Sequence, residues 1–570
     1  MLFARLVHFI DTYSFLAVQS PLGLGHAIPA SQALDWDALR KEVGGRLFQS
    51  TPFAEACFSE SFNSTECITA RKDYLDEEVR TKHPAGYTQT QWETCQATNQ
   101  QCLLDYRTPD KQDPTVPSNQ CLQGSVPGHF VRFTAYPVSI DVRQPSDISA
   151  AFKFSKLGRI PLVIKNTGHD YMGRSSAPGS LALWMSYHPA FVPDGCHVPA
   201  APRSAITLGA GVQWGEAYAF AEKHNVTVVG GADKTVGAVG GWLQGGGHGA
   251  LSNTMGLGVD RVLQYKVVTP DGQHRVVNEC QHEDLFFALR GGGGGTFAVV
   301  TEATILASPR VTLQTLILIL PKSSSGDSSL TKEMWTILAD NSLRWSRVGW
   351  GGFSMADVVV LVNPILGAAE AAESVAPLTE FAGRVGKQGV EGVQVSVREF
   401  GSWGGFFEVF SRDFVATIGS SLALASRLVP KSSFSTPSRR SSLVNALLSA
   451  DAQTPGLIML MTAPASVPSS GLTSVTEAWR SSMYHVTVVA PWNWNATKEE
   501  KRARYADASS AIDNLRRITP DAAYLNEADV YEPNYQVAFW GSHYPELLRI
   551  KQKYDPDHLL DCWHCGESLL

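Results

Sequence analysis

Seven glycines fall within the stretch Thr235-Val-Gly237-Ala-Val-Gly240-Gly241-Trp-Leu-Gln-Gly245-Gly246-Gly247-His248-Gly249. Glycine loses more conformational freedom on folding than any other residue, so this density requires backbone positions with positive φ or close contact with a ligand. The partial match Gly245-x-Gly247-x-x-Ala250 to a dinucleotide fingerprint lacks its helix, because Leu251 to Gly258 holds two more glycines. A Rossmann reading is therefore rejected. A second run, Gly291 to Gly295, sits between the short helical pattern Asp284 to Arg290 and the strand-like stretch that begins at Thr296 and Phe297. A flexible linker is the plain alternative, but linkers are rarely framed so tightly by apolar elements.

A third loop is Val163-Ile-Lys-Asn166-Thr167-Gly168-His169-Asp-Tyr-Met-Gly173-Arg174-Ser175-Ser176. Successive backbone N–H groups after a strand can form an anion-binding concavity suited to a pyrophosphate. His169 there reads as a ligand, a base, a covalent attachment point or a solvated turn residue.

The surrounding periodicity is mixed. Phe130 to Val142 alternates as a strand does, Ser146 to Leu157 fits an amphipathic helix opened by Pro145 and Asp147, and Pro161 to Lys165 is a short strand. Strand-like runs recur at Val226 to Val229, Val262 to Val268 and Phe297 to Ile305, with turn chemistry at Thr269-Pro-Asp-Gly272. Beyond residue 310 the glycine loops cease. Leu313 to Leu320, Val358 to Val362 and Val393 to Val397 read as strands, Lys332 to Ser346 and Tyr544 to Lys553 as helices, and Ser432 to Ser442 as an exposed loop.

Other classes are excluded by what is missing. The net charge of -7 with no long Lys/Arg run argues against nucleic acid, and no apolar stretch is long enough to span a membrane. No Gly-x-Ser-x-Gly or His-Glu-x-x-His element competes as a catalytic motif. Cys562-Trp-His-Cys565 has no second pair, so a disulfide or inert thiols are expected there and no metal site. Five of the nine cysteines fall between Cys57 and Cys121, in a segment rich in Thr, Gln and Asn that has little core of its own and favours disulfides. With sequons at Asn63, Asn225 and Asn495, they point to the secretory pathway, an intracellular location being the alternative. Residues 1–35 read as a leader or degraded signal segment, the apolar run after Arg5 being broken by His8 and Asp11.

The three loops are followed by Tyr524-Leu-Asn526-Glu, Phe539-Trp540-Gly541, Tyr544, Ile550-Lys551 and Tyr554-Asp555-Pro556. In this order and spacing they resemble the FAD-binding domain of the vanillyl-alcohol oxidase superfamily, and more closely the fungal berberine bridge enzyme-like group, over roughly residues 125–308 and 520–560. The resemblance implies an α+β fold. A Cys-containing region (36–125) would precede a two-subdomain FAD domain (126–309), an antiparallel-sheet-plus-helices substrate domain (310–500) and a C-terminal segment returning to the FAD domain (501–570).

It further implies that Asn166, Thr167, Gly168, Gly173, Arg174 and Ser175 run along the FAD pyrophosphate, with His169 bonded to the flavin C8α. Gly237, Gly240, Gly241, Gly245, Gly246, Gly247, His248 and Gly249, with Gly294, Thr296 and Phe297, would line the isoalloxazine and the rest of the cofactor. Some relatives add a second bond from a cysteine, but the matching position here is Asp233, so a single attachment is expected. Tyr524 would be the catalytic base and Asn526 an orienting group, the alternative being that they pack against or hydrogen-bond the flavin without proton transfer. An unperturbed tyrosine titrates near pH ~10, so the site must favour the phenolate. Trp350, Phe353, Trp403, Phe406 and Phe407 would line an apolar pocket or form simple core. The implied function is a flavin oxidase, oxygen being the acceptor, acting on a small secondary metabolite. Carbohydrate oxidation in an open, polar, aromatic-lined groove, and a non-redox binding or cyclase role, are the alternatives.

Overall fold

The computed structural model describes residues 34–59, 63–94, 96, 99, 101–111, 138–177, 180–185, 204–321, 328–413, 418–468 and 473–562. The leader, Cys95, Cys121, Cys565 and the first half of the strand expected from Phe130 lie outside them.

Two four-stranded sheets carry the first half of the chain. In one, Leu47–Gln49, Val138–Val142, Leu181–Met185 and Leu162–Lys165 lie side by side, the last three parallel. Parallel neighbours need a crossover, and the helix Pro145–Gly158 supplies it. Asp147 accepts the N–H groups of Arg143 and Gln144 at its start, and Arg159 ends it at φ +51. Its buried face, Ile148, Ala151, Phe152 and Ser155, recurs every three or four residues and packs on Ile140, Leu162 and Leu183. The second sheet is antiparallel, in the order Ala205–Gly209, Val299–Leu306, Val262–Val268, His274–Asn278. Its hairpin turns at Thr269 to Gly272, where Gly272 sits at φ +78 and donates to Thr269 O. The strand expected over Val226 to Val229 is only Val226–Thr227. Val228 and Val229 are buried core residues beyond it.

The third sheet has seven antiparallel strands, in the order Gln394–Phe400, Leu313–Ile319, Val358–Asn363, Gly351–Ser354, Ile458–Met461, Ser482–Trp492, Ser421–Pro430. Side chains alternate across it. Val359, Leu361, Met459, Val486 and Val488 face the helices Ser329–Arg347, Ala376–Lys387, Pro437–Gln453 and Lys498–Arg516. Val360, Val362, Ile458, Leu460, Thr487 and Val489 face the other way, into a cavity shared with the glycine loops.

Two expectations are corrected. Ser432 to Ser442 is not a loop: a 3-10 turn Lys431–Phe434 leads into the helix Pro437–Gln453, with Thr436 capping Arg439 N. Serine and proline are suited to a helix start, and Leu443, Val444 and Leu447 give it an apolar face. The helix Lys498–Arg516, grouped by sequence with the returning segment, packs on Ser421–Pro430 and Ser482–Trp492 of the long sheet. The return to the loops comes after it, where Asn526 Nδ2 donates to Gly241 O and Lys551 donates to Thr296 O.

Among the described cysteines, Cys57 and Cys67 form a disulfide, and Cys102 and Cys562 are also disulfide-bonded. The Thr/Gln stretch between them is buried, not solvated: Thr88, Thr90 and Gln91 are each 1% exposed or less. Their polar groups are satisfied by Gly168 O, Ser421 Oγ and Leu422 N.

Candidate active site

A cavity of about 390 Å³ lies between the loops and the long sheet. His169 stands on its wall. Its Nε2 lies 2.6 Å from Thr235 Oγ1 and 3.7 Å from Asp233 Oδ1. Thr235 has one hydroxyl hydrogen, and the Asp233 carboxylate, 3.0 Å away, can only accept. The hydroxyl therefore donates to Asp233 and accepts from His169 Nε2–H, which leaves Nδ1 with the free lone pair. Burial lowers the His169 pKa, against Asp233, so the ring is held neutral, the nucleophilic form.

The loop around His169 is clamped by the N-terminal region. Thr88 N and Oγ1 donate to Gly168 O, Trp92 Nε1 to Asp170 O, and Tyr87 Oη to Ser175 O. A buried Arg80–Glu93 pair ties this clamp, and Glu93 also accepts Tyr87 N. No sequence signal marked these residues as part of the site.

The loop's own N–H groups are partly spent. Asp170 accepts from Met172 N, Gly173 N, Ser175 N and Ser175 Oγ. The concavity expected for a pyrophosphate is, over Gly173 to Ser175, filled by this carboxylate. Arg174 and Ser175 line the cavity; Gly173 is pressed against Trp92, whose ring a Cβ would meet at 2.6 Å.

The glycines divide in the same way. Gly237, Gly240, Gly241, Gly249 and Gly294 line the cavity, as do Asn166, Thr167, Gly168 and His248. Gly245, Gly246 and Gly247 do not. A Cβ on Gly245 would lie 2.4 Å from the Asn526 amide, and one on Gly247 2.6 Å from the Trp242 ring. Thr296 and Phe297 are also off the cavity: Phe297 is core, and Thr296 O accepts from Lys551. Much of the glycine content thus serves contact between protein segments. Gly291 N and Gly293 N both donate to Gln244 O, and Gly294 meets Gly241 backbone to backbone.

Tyr524 and Asn526 reach the cavity together. Asn526 Nδ2 donates to Tyr524 Oη at 2.8 Å and to Gly241 O at 2.7 Å. Burial first, and Glu527 second, push the Tyr524 phenol far up, beyond what the Asn526 donor offsets. The site does not favour the phenolate that a tyrosine base requires.

Phe353, Trp403, Phe406 and Phe407 form the apolar end of the cavity with Phe410. Trp350 is on the helix side of the sheet, its Nε1 donating to Ser374 Oγ.

Three features of the wall fit a bound FAD. A Cβ on Gly241 would meet nothing within 4 Å. Asn166 Oδ1 and Arg174 Nε are buried with no hydrogen-bond partner among the described residues. Buried polar atoms of this kind are ordinarily satisfied, and both stand in the loop that the resemblance assigns to the cofactor.

Comparison with known proteins agrees. The family described as FAD binding domain matches residues 137–298, and that described as berberine and berberine like matches 523–562. The FAD-linked oxidoreductase ffsJ of Aspergillus flavipes is 36% identical, covering 95% of this chain and 94% of its own. The FAD-linked oxidoreductase cheF of Chaetomium globosum is 36% identical, covering 94% and 86%. A VAO-type flavoprotein of Myceliophthora thermophila superposes with a TM-score of 0.75 at 28% identity, over 94% of each chain. The glucooligosaccharide oxidase of Acremonium strictum, whose FAD is 6-S-cysteinyl, 8α-N1-histidyl, shares the fold with a TM-score of 0.59 at 19% identity, over 75% of this chain and 91% of its own. With both flavin-domain segments matched and relatives aligned along nearly its whole length, this chain belongs to the fungal FAD-linked oxidoreductases of the berberine bridge enzyme-like group, on the VAO-type fold.

Proposed function

We propose that this enzyme is an oxidase of a small, largely apolar secondary metabolite, oxidising an alcohol or amine carbon, desaturating it or closing a ring, with oxygen as the final acceptor. FAD would be bonded once, through His169 Nδ1. Bound FAD supplies the two-electron chemistry by taking hydride from a substrate C–H bond. The protein's task is to orient the substrate, exclude water and manage the proton.

The observation that carries the reading is the contrast across the cavity. One wall holds the polar loops and His169; the other is the face of Val360, Val362, Leu424, Leu460 and Val489 with the aromatic end at Trp403 and Phe406. A carbohydrate would leave its hydroxyls unpaired against such a wall, which is costly. An apolar ring or chain is accommodated there, with Tyr524 and Asn526 to orient its heteroatom. Single attachment is supported by Asp233 beside His169 and by the absence of cysteine from the cavity lining among the described residues.

The same proposal extends to the secretory pathway. The Cys57–Cys67 bridge belongs to an oxidising compartment, and the sequon asparagines Asn63, Asn225 and Asn495 are all exposed.

The test begins with acid denaturation of the purified protein. Flavin absorbance should stay with the polypeptide and map to the peptide containing His169, and to no cysteine. A peroxide-coupled screen should then favour aromatic and terpenoid alcohols over oligosaccharides. Flavin released by acid would sink the attachment, and turnover of oligosaccharides alone would sink the substrate class.

A further inference from the structure

Beneath Tyr524 lies a cluster of which the resemblance assigns only His248, as a residue lining the cofactor. Glu527 Oε2 accepts from His485 Nε2 at 2.9 Å, and Glu527 Oε1 faces His248 Nε2 at 3.5 Å. Three separate elements bring these side chains together: the C-terminal return, the strand Ser482–Trp492 and the end of the glycine loop. Tyr524 and Trp479 wall the cluster. The His248 ring centroid is 5.0 Å from Tyr524 and 5.8 Å from Trp479, and the His485 ring is 5.6 and 5.9 Å from the same two. Glu527 and His248 line the cavity, while His485 is fully covered behind them.

Three carboxylates stand on the cavity wall, and two are committed. Asp170 holds its own loop through backbone N–H groups, and Asp233 accepts Thr235 N and Oγ1. Among the described residues the Glu527 carboxylate has only imidazoles as partners, and its side chain is still 25% exposed. Burial raises its carboxyl pKa, and His248 and then His485 more than offset this, so it remains ionised. Burial drives His485 down, toward the neutral ring, against Glu527. Tyr524 and Tyr171 also face the carboxylate, and both stay protonated because burial and Glu527 raise them; Arg174 faces Tyr524 from the His169 loop. His248 Nε2 is buried and faces Glu527 Oε1 at 3.5 Å, with no closer polar partner among the described residues. Its Nδ1 faces Thr462 Oγ1 at 3.2 Å, a hydroxyl that can donate or accept.

We propose that the Glu527 carboxylate is the proton acceptor of the reaction, that His248 shares the accepted proton, and that Tyr524 acts as a neutral phenol hydrogen-bonding the substrate. This rests on the flavin-oxidoreductase reading above. Bound oxidised flavin would take the substrate C–H hydrogen with both electrons, as hydride. The neighbouring O–H or N–H breaks with its pair remaining on the heteroatom, which forms the new double bond to carbon. The released proton forms O–H on Glu527 and passes to His248 Nε2. The substrate would thus lose two electrons and bound flavin would gain them, the charge balancing through the protonated Glu527–His248 pair. His485 is a positioning residue that fixes the carboxylate.

The test uses the flavin-loaded enzyme, its own cofactor serving as the first probe. Titrating the visible flavin band against pH should show a step that disappears in Glu527→Gln, moves in His248→Gln and persists in Tyr524→Phe. His485→Asn should move the step to higher pH, since the carboxylate loses a donor, and Glu527→Asp should restore it. With an alcohol from the peroxide screen as reductant, Glu527→Gln should slow anaerobic flavin reduction by about 10²- to 10⁴-fold, the range of general base catalysis, at unchanged substrate affinity. Tyr524→Phe should cost roughly tenfold, the worth of one hydrogen bond. A step that survives in Glu527→Gln and vanishes in Tyr524→Phe overturns the assignment, as does near-normal reduction in Glu527→Gln. A stoichiometric metal ion in the enzyme, lost in Glu527→Gln, overturns it too. Protein purified without flavin breaks the functional reading instead, and is seen before any titration.

Discussion

On one side of the cavity, Gly237, Gly249, Asn166 and His169 are fixed residue by residue: a methyl group on Gly249 would lie 2.1 Å from Gly230 O, and one on Gly237 2.0 Å from Asn166 Oδ1. On the other, Val360, Leu424, Ile458 and Val489 need only be apolar and face the right way, a condition met by strand alternation. The first wall is specified by backbone approach and tolerates almost no change. The second is specified by a period of two and tolerates many side chains of similar volume. On the proposed reading, the wall that would hold the cofactor and the wall that would meet the substrate obey different constraints, so one fold could present a shared cofactor to different substrates.

The sharpest way to break this contrast is at His169. His169→Ala should abolish acid-stable flavin altogether while the protein stays folded, checked by absorbance of the denatured polypeptide and by circular dichroism of the native one. Retained acid-stable flavin would place the attachment elsewhere.

The joint between the walls comes next. Arg427, on the long sheet and fully buried, pairs with Glu532 at 2.5 Å and Asp521 at 2.7 Å on the returning segment. Arg427→Met leaves a buried carboxylate short of a partner, a change that costs about 3–5 kcal/mol in comparable cases. Denaturant unfolding should show the loss, reduced to the extent that Arg516 still pairs with Glu532.

Within the glycine wall, two substitutions should separate packing from cofactor contact. Gly249→Ala forces a methyl onto Gly230 O and should destabilise by about 1–3 kcal/mol. Gly241→Ala meets no protein atom and should leave thermal stability nearly unchanged while reducing flavin loading. Equal effects of the two on melting temperature would contradict the distinction.

The smallest effect lies outside both walls, at the hairpin of the second sheet. Burial raises the Asp271 carboxyl, but hydrogen bonds from Arg275 and Thr269 hold it down at about 2. A depressed folded-state pKa contributes stability that is complete above the unfolded-state carboxylate range and is lost as pH falls through that range toward the folded value. The side chain is half exposed, so Asp271→Asn should cost only about 0.3 kcal/mol at neutral pH and nothing in strong acid.

The fold was legible where one local rule acted alone. The helix Pro145–Gly158 followed from a proline start and a 3–4 period, and the hairpin at Thr269 to Gly272 from turn chemistry. It was illegible where burial came from elsewhere. Ser432 to Ser442 read as an exposed loop; most of it is exposed, but it forms a 3-10 turn and the first turns of a helix whose apolar face, further along, is held against the sheet. Thr88 to Gln91 read as a core-poor segment, and its polar groups are buried because distant backbone atoms accept and donate to them.

Sequence alone determined the loops proposed to hold the cofactor, since glycine density, the Asn-Thr-Gly-His turn and the C-terminal Tyr-x-Asn are local patterns whose backbone demands can be read from residue type. Tertiary structure decided which of those residues face the cavity: Gly245, Gly247 and Phe297 look no different in sequence from Gly241 and Gly294, and only packing against Asn526, Trp242 and the core separates them. It alone also assembled Glu527, His248 and His485, whose positions span nearly half the chain and which meet because a strand, a loop and a returning segment converge at one point. Residue type fixes what a side chain can do, but the electrostatic state of a buried carboxylate depends on which neighbours the fold places against it.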